Sequence, residues 1–148
     1  MMDEFTQAYF ECLVWTGLYF ADETSEAESL DYCVSVWWDH LPEGIRAQIA
    51  ADCEAFQEEA GDLIAADLSQ AGHDFCLSRN DHGAGFWDHS TWALELPEPF
   101  ATREIERVGH DRGFTSVGGY LHDMAKAYGS QILMAFGDED DPIFELCS

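Results

Sequence analysis

Basic residues are scarce in this chain. Only 6 of its 148 residues are Lys or Arg, against 30 Asp and Glu, so the formal net charge is −24. No basic residue precedes Arg46, and residues 1–78 carry 17 acids against that one arginine. A nucleic-acid-binding surface needs cations that neutralise phosphates, so direct binding of DNA or RNA is disfavoured. Self-repulsion of this size also opposes a compact fold, which indicates that the acidity has a use.

Signatures of a secreted or membrane protein are also missing. The five cysteines are odd in number and include no Cys-x-x-Cys pair, which predicts reduced thiols rather than a disulfide framework. We expect no secretory leader, because the first residues include neither a basic stretch nor a cleavage-site pattern. The most apolar run, residues 5–21, is marginal in length for a bilayer span and contains Gln7 and Glu11, so no membrane partner is expected. We expect a protein of the cytoplasm, with its thiols mostly buried.

The usual sequence signatures of an enzyme are absent as well. The glycine-rich stretch at residues 83–85 is not followed by Lys-Ser/Thr and does not open a helix, so it predicts turn and strand glycines rather than a phosphate cradle. No serine-centred nucleophile elbow occurs, and no cysteine lies in a catalytic signature. We therefore expect a non-enzymatic protein without a cofactor.

The composition nevertheless predicts a folded domain. The chain is 47% hydrophobic and 14% aromatic, whereas disordered acidic segments are poor in both classes. A length of 148 residues suits one domain, and such a domain buries roughly two thirds of the surface that its unfolded chain exposes. We expect a single acidic domain over residues 1–148, with its negative charge on the surface.

The first half of the chain reads as helical. Residues 4–20 are apolar nearly all round, which predicts a central helix. An acidic loop over residues 22–31 and a short apolar segment over 32–38 follow. The second helix is predicted from Pro42 to Asp67, because apolar residues recur at three- and four-residue intervals. Those residues are Ile45, Ile49, Cys53, Phe56, Ala60 and Ile64.

The second half reads as mixed. Residues 73–88 look like a hairpin, strand, tight turn and strand. Residues 89–115 are expected to be irregular, with a helical turn near 102–108. A helix capped by Ser116 then runs to residue 128, and strands are predicted at 131–136 and 143–147. The predicted fold is α+β: a helical N-terminal half packed on a small antiparallel sheet of two hairpins with one intervening helix.

The histidines offer one candidate site. All six stand next to an aspartate, but neighbours in sequence point in different directions and build no site by themselves. If residues 81–82 form the hairpin turn, Asp74 pairs across from His89, and His73 lies beside them. These three residues are the candidates for metal binding or acid–base chemistry, against the alternative of structural hydrogen bonding or solvent exposure.

The acidic residues form the candidate binding surface. Carboxylates one helical turn apart are about 6 Å apart along the axis, which is comparable to the spacing of phosphates on a nucleic-acid strand. Glu54, Glu58 and Asp62 make the most regular row. The full candidate set is Asp52, Glu54, Glu58, Glu59 and Asp62 on the second helix, Glu23, Glu26, Glu28 and Asp31 on the first loop, and Asp138, Glu139, Asp140 and Asp141 on the last turn.

One segment resembles a known group of proteins. Residues 71–88, Ala-Gly-His-Asp-Phe-Cys-Leu-Ser-Arg-Asn-Asp-His-Gly-Ala-Gly-Phe-Trp-Asp, are similar to the signature segment of small acidic proteins encoded in many tailed-bacteriophage genomes. The likeness extends to residues 8–15, 30–32 and 51–56 and to the closing helix with Gly137-Asp138, whereas residues 89–115 look like an insertion. The resemblance implies a phage origin and a bacterial host cytoplasm; the family has no established activity.

These features predict a phage protein whose acidic face mimics nucleic acid. It would bind a basic nucleic-acid-binding host protein, such as a restriction or CRISPR effector, and block its substrate site. Two other functions stay open: a metal-binding or hydrolytic protein using the His73, Asp74 and His89 cluster, and a structural or regulatory module whose contacts are made by aromatics around Trp87 and Trp92. A solvated acidic surface, or adaptation to high salt, would explain the charge without a partner.

Overall fold

A computed structural model describes residues 2–17, 19–20, 38–81, 83–102, 116–136 and 143–147. The helices are α1 (Glu4–Gly17), α2 (Glu43–Ala60), α3 (Leu68–Arg79) and α4 (Val117–Lys126), with short 3₁₀ helices at Gly61–Ile64 and Ser90–Trp92. The strands are β1 (Tyr19–Phe20), β2 (Ile132–Phe136) and β3 (Ile143–Cys147). The predicted α+β class and helical N-terminal half are confirmed.

The strands form one small sheet in the order β1-β2-β3. β2 and β3 are antiparallel, with Ile132 opposite Cys147 and Phe136 opposite Ile143. β1 adds in parallel on the other side of β2, with Tyr19 opposite Met134. The closing hairpin is therefore confirmed, whereas the parallel strand β1 was predicted as the end of the first helix.

The hairpin predicted at residues 73–88 is wrong. Leu68–Arg79 is the helix α3, which Asp67 caps by accepting a hydrogen bond at Oδ1 from the Gln70 amide at 3.0 Å. Eight of its twelve residues are buried, because other elements cover the helix on most sides. A helix without a solvent-facing stripe has no polar period of 3.6 residues, so its short apolar runs resembled strands.

The second helix ends earlier than predicted. α2 begins after Pro42, buries Ile49, Cys53, Phe56 and Ala60, and stops at Gly61, whose φ of 53° breaks the helical path. The chain then makes the 3₁₀ helix and a turn rather than continuing to Asp67. As a result, Glu54 and Glu58 share one helix with each other but not with Asp62.

Aromatic rings join the helices in the core. Phe56 of α2 stacks on Phe75 of α3 with ring centroids 4.3 Å apart and on Phe86 at 5.6 Å. Tyr128, just after α4, meets Phe75 edge-on at 5.2 Å. The predicted α4 is confirmed, with its cap at Ser116, whose Oγ accepts from the Gly119 amide at 3.1 Å.

The apolar N-terminal run belongs to this core. α1 buries Phe5, Tyr9 and Leu13, and it leaves the stripe Glu4, Gln7 and Glu11 exposed. Within the described ranges, every helix is either too short or too polar to cross a bilayer.

Candidate functional site

The described surface is almost purely anionic. Fifteen of the eighteen Asp and Glu residues in the described ranges are exposed, two are half-buried, and one, Asp74, is buried. Three cations occur in the same ranges: Arg79 is buried, Arg46 is half-buried and Lys126 is exposed. The described part of the chain therefore has fifteen exposed carboxylates and one exposed cation.

The outer side of α2 carries a compact group of these acids. At 100° per residue, Glu43, Glu54 and Glu58 fall within about 60° of one another around the helix, and Glu54 and Glu58 are about 6 Å apart along it. All three are exposed. We call these three residues the α2 face. It borders a groove of about 700 Å³ between the start of α1 and α2.

The other predicted contact residues have different positions. Glu59 and Asp62 are exposed, but Glu59 lies about 100° around the helix from Glu58, and Asp62 is in the 3₁₀ helix beyond Gly61. Asp52 is half-buried and bound to Arg79 at 3.1 Å. The predicted loop residues Glu23, Glu26, Glu28 and Asp31, and Asp138, Glu139, Asp140 and Asp141, lie outside the described residues.

The buried Arg79 is a structural centre that the sequence did not reveal. Its Nη1 donates to Asp52 and to the Tyr9 hydroxyl, both at 3.1 Å, and its Nε donates to the Gly129 carbonyl at 2.8 Å. Its guanidinium also lies over the Phe75 ring at 5.3 Å. Since these contacts satisfy it inside the fold, Arg79 does not offset the surface charge.

A separate cleft of about 640 Å³ lies between α1 and α3. The two helices approach closely because Gly72 has no side chain: a Cβ there would collide with the Phe5 carbonyl. The residues lining the cleft are Glu4, Gln7, Ala8 and Glu11 of α1, Asp67, Ser69, Gln70 and His73 in or next to α3, and His89. Three exposed carboxylates and two imidazoles therefore share one concave surface.

His89 is held in this cleft by Asp74. Its Nδ1 is 2.7 Å from Asp74 Oδ1, and the Asp74 side chain is fully buried while that of His89 is 35% exposed. Trp92 Nε1 donates to Asp74 Oδ2 at 2.7 Å, and Gln70 Nε2 donates to Oδ1 at 3.1 Å. With the Asp74 carboxylate as the acceptor, Nδ1 of His89 is the donor of this contact.

The pKa values of Asp74 and His73 are shifted from their ordinary values. Burial raises the pKa of Asp74, although the hydrogen bond from Trp92 and the interaction with His89 act against that shift. A hydrogen bond with the Cys12 thiol raises the pKa of His73 against the opposing effect of burial.

The predicted proximity of Asp74 and His89 is confirmed, and His73 lines the same cleft. The reason was wrong, because α3 and the loop after it bring the residues together instead of a hairpin. In the described ranges, no group of three or more His, Cys, Asp or Glu side chains could hold a metal ion.

A second histidine contact lies one helical turn along α3 from Asp74. His122 Nδ1 of α4 is 3.0 Å from the Ser78 hydroxyl, which also accepts from the Phe86 amide at 3.1 Å. The Ser78 side chain is buried and His122 is half-buried, so this pair joins helices rather than facing a cleft.

The aromatic contacts of the alternative interaction module are only partly available. Trp87 is 55% exposed, but Trp92 is 1% exposed and donates a hydrogen bond to Asp74. The prediction that Trp92 is an exposed contact is therefore wrong.

Comparisons of the chain with protein-family models, with curated proteins and with solved structures give no match.

Proposed function

We propose that this protein is a phage-encoded, non-enzymatic inhibitor that binds a basic nucleic-acid-binding host protein, of the restriction or CRISPR type, with its acidic surface. The observation that supports the proposal is the balance of fifteen exposed carboxylates against one exposed ammonium in the described ranges. The resemblance of residues 71–88 to acidic phage proteins supports a bacterial host as the setting.

The physical basis is a fixed array of anions. The α2 face projects from a helix whose opposite side buries Ile49, Cys53 and Phe56 in the core. Carboxylates held in this way need little ordering when a partner binds, in contrast to those on a flexible tail. A partner whose cleft is lined with Lys and Arg would be steered from a distance and would release its bound anions on contact.

The first experiment identifies the partner. The protein is immobilised, exposed to a bacterial lysate at about 50 mM and about 500 mM NaCl, and the retained proteins are identified by mass spectrometry. We expect a nucleic-acid-binding protein that is retained at low salt and displaced at high salt or by added DNA. Retention of no such protein, or retention that is indifferent to salt, would refute the proposal.

The second experiment tests the surface. The triple variant E43Q/E54Q/E58Q removes the charge of the α2 face and keeps side-chain shape. A matched control, E95Q/E98Q/E145Q, removes the same charge from exposed residues outside α2. We expect the α2-face variant to bind the partner at least about tenfold more weakly, since each exposed charge contributes up to about 1 kcal/mol. Equal losses in both variants would show that net charge alone, and not this face, determines binding.

A further inference from the structure

We propose that the groove between the start of α1 and α2 binds one basic amphipathic α-helix of the partner. The apolar side of that helix lies on the floor of the groove, and a cationic side chain at each end contacts a carboxylate of the α2 face. This inference rests on the proposed function, because it specifies how the partner's cations meet the acidic surface. It adds a requirement for shape to the requirement for charge, and the two can be tested separately.

The floor of the groove is apolar. Ala47 and Ala50 of α2 are exposed and line it, and Met2 and Trp38 supply larger apolar side chains beside them. An edge-on contact with Phe10, at 5.0 Å between ring centroids, holds Trp38 in place. Small side chains such as alanine let a second helix approach α2 to an axial distance of about 8–10 Å. A volume of about 700 Å³ is therefore open to the side chains of a packed helix.

The charges along the groove have an ordered pattern. Glu43 and Glu54 are 11 residues apart in α2, which places them about 16 Å apart along the helix and within about 20° of each other around it. Both line the groove, and Arg46 lines it between them. The charges along α2 are therefore negative, positive and negative. A complementary occupant carries a cation at each end and none in between.

A buried donor in the groove lacks a partner. The Arg46 side chain is half-buried, and its Nε is buried with no hydrogen-bond partner among the described residues. A buried donor without an acceptor is unfavourable, and an occupant that brings an acceptor beside Arg46 relieves that cost. The middle of the bound helix is therefore expected to carry a polar residue that accepts hydrogen bonds. This observation is independent of the carboxylates.

A helix meets these requirements better than an extended peptide does. Residues 11 apart lie on one side of any α-helix, so a helix aligned with α2 presents two cations at the spacing of Glu43 and Glu54. An extended peptide gains binding energy from backbone hydrogen bonds to a strand edge, whereas the backbone groups within α2 are already bonded to one another. Basic helices also enter the DNA groove in several classes of nucleic-acid-binding protein, so the proposed partner class contains suitable segments.

The test uses the purified full chain and two synthetic helical peptides of about 18 residues with identical composition and charge. The patterned peptide has two Lys residues 11 positions apart, with Ala, Leu and one central Gln between them on the same side. The scrambled peptide distributes these residues around the helix. We expect calorimetric titration at constant ionic strength to show at least about tenfold tighter binding of the patterned peptide. Amide NMR shifts should be concentrated at the residues that line the groove.

Two charge-neutral variants locate the binding. Ala50→Tyr fills the groove, and Ala55→Tyr adds the same side chain to an exposed position about 140° away around α2. We expect the first to weaken binding of the patterned peptide by at least about tenfold and the second by less than about twofold. Circular dichroism and thermal melting show that both variants fold.

A third variant tests the central position. Replacing the central Gln of the patterned peptide by Lys should weaken its binding to the wild type, because Arg46 repels a cation there. Arg46→Gln should reduce that discrimination. An unchanged discrimination in the variant would contradict the role of Arg46 in setting the charge pattern.

Other results would overturn the inference as a whole. These are equal affinities for the two peptides, equal effects of the two tyrosines, saturable binding of a DNA duplex in the groove, or a dimer of the protein that Ala50→Tyr abolishes. The tyrosine variants keep every carboxylate. If E43Q/E54Q/E58Q loses the host partner and Ala50→Tyr retains it, the inference fails while the proposed function stands. If the patterned peptide binds selectively but the lysate yields no nucleic-acid-binding protein, the proposed function fails instead.

Discussion

The guanidinium of Arg79 and the carboxylate of Asp52 form an ion pair of 3.1 Å between Nη1 and Oδ2, with the Arg79 side chain 3% exposed and that of Asp52 29% exposed. The same guanidinium binds Tyr9 of α1 and the carbonyls of Tyr128 and Gly129 beyond α4. In a protein with six basic residues, this one joins three helices to the segment that leads into the sheet.

Replacing Arg79 should therefore be far more damaging than removing a surface cation. Arg79→Met leaves a half-buried carboxylate and two carbonyls without their donor, and we expect a loss of about 3–5 kcal/mol in the free energy of unfolding. Lys126→Met removes the same charge from a side chain that is 50% exposed and 4.0 Å from Asp81. That control should change stability by less than about 0.5 kcal/mol. Urea denaturation measures both, and similar losses would mean that the network adds nothing beyond charge.

The crossing of α1 and α3 supplies a second prediction. Gly72→Ala places a Cβ against the Phe5 carbonyl, and the two helices must separate to admit it. We expect a loss of about 1–3 kcal/mol in the free energy of unfolding and a wider cleft between the two helices.

Gly44→Ala is the matched control for that substitution. Gly44 lies in the first turn of α2, and an added Cβ there meets nothing within 4 Å. Alanine should stabilise this helix by up to about 1 kcal/mol. We therefore expect Gly72→Ala to lower and Gly44→Ala to raise the free energy of unfolding, measured by thermal or chemical denaturation. If both substitutions destabilise the protein, close packing at Gly72 is not the cause.

The elements that sequence reasoning predicted correctly carry local signals. α1, most of α2, α4, β2 and β3 follow from apolar spacing, the Ser116 cap and glycine positions. α3 carries no such signal, because eight of its twelve residues are buried and tertiary contacts rather than an amphipathic pattern stabilise it. Its Asp67 cap was present in the sequence, but the continuous helix predicted to end at Asp67 concealed it.

Only part of the candidate sites could be predicted from the sequence. The Asp74–His89 contact was found because two short segments with polar residues were assumed to pair, and the assumption was wrong while the proximity was right. The Arg79 network and the Ser78–His122 contact join residues at least 27 positions apart. No local pattern encodes such contacts, so they became visible only in three dimensions.

The tautomer of His89 provides a third prediction. With Asp74 as acceptor, the neutral imidazole should carry its proton on Nδ1. Asp74→Asn keeps an oxygen for Trp92 but turns an NH₂ group toward Nδ1, which then has to accept, so the proton should move to Nε2. Two-bond ¹⁵N–¹H NMR spectra of the imidazole distinguish the two forms. An unchanged tautomer in the variant would show that Asp74 does not determine the state of His89.

The contact between His122 and Ser78 gives a prediction about pH. The Ser78 oxygen accepts from the Phe86 amide, and its hydroxyl can donate to Nδ1 when His122 is neutral. Burial lowers the pKa of His122 from its ordinary value of 6.5, and Lys126 acts in the same direction. The folded state therefore favours the neutral ring. Its contribution to stability is present above pH 6.5 and is lost as the pH falls through the lowered pKa.

His122→Asn isolates this effect, because the amide oxygen can accept from Ser78 in place of Nδ1 and does not titrate. Between about pH 7.5 and about pH 5.5, the free energy of unfolding of the wild type should fall relative to that of the variant. All other histidines and carboxylates titrate in both proteins and cancel in the difference, so urea denaturation at the two pH values reports His122 alone. Equal pH-dependent changes in the free energy of unfolding of the two proteins would mean that the pKa of His122 is the same in the folded and unfolded states. An NMR titration of the His122 ring with a midpoint at or above 6.5 would contradict its burial as a neutral group.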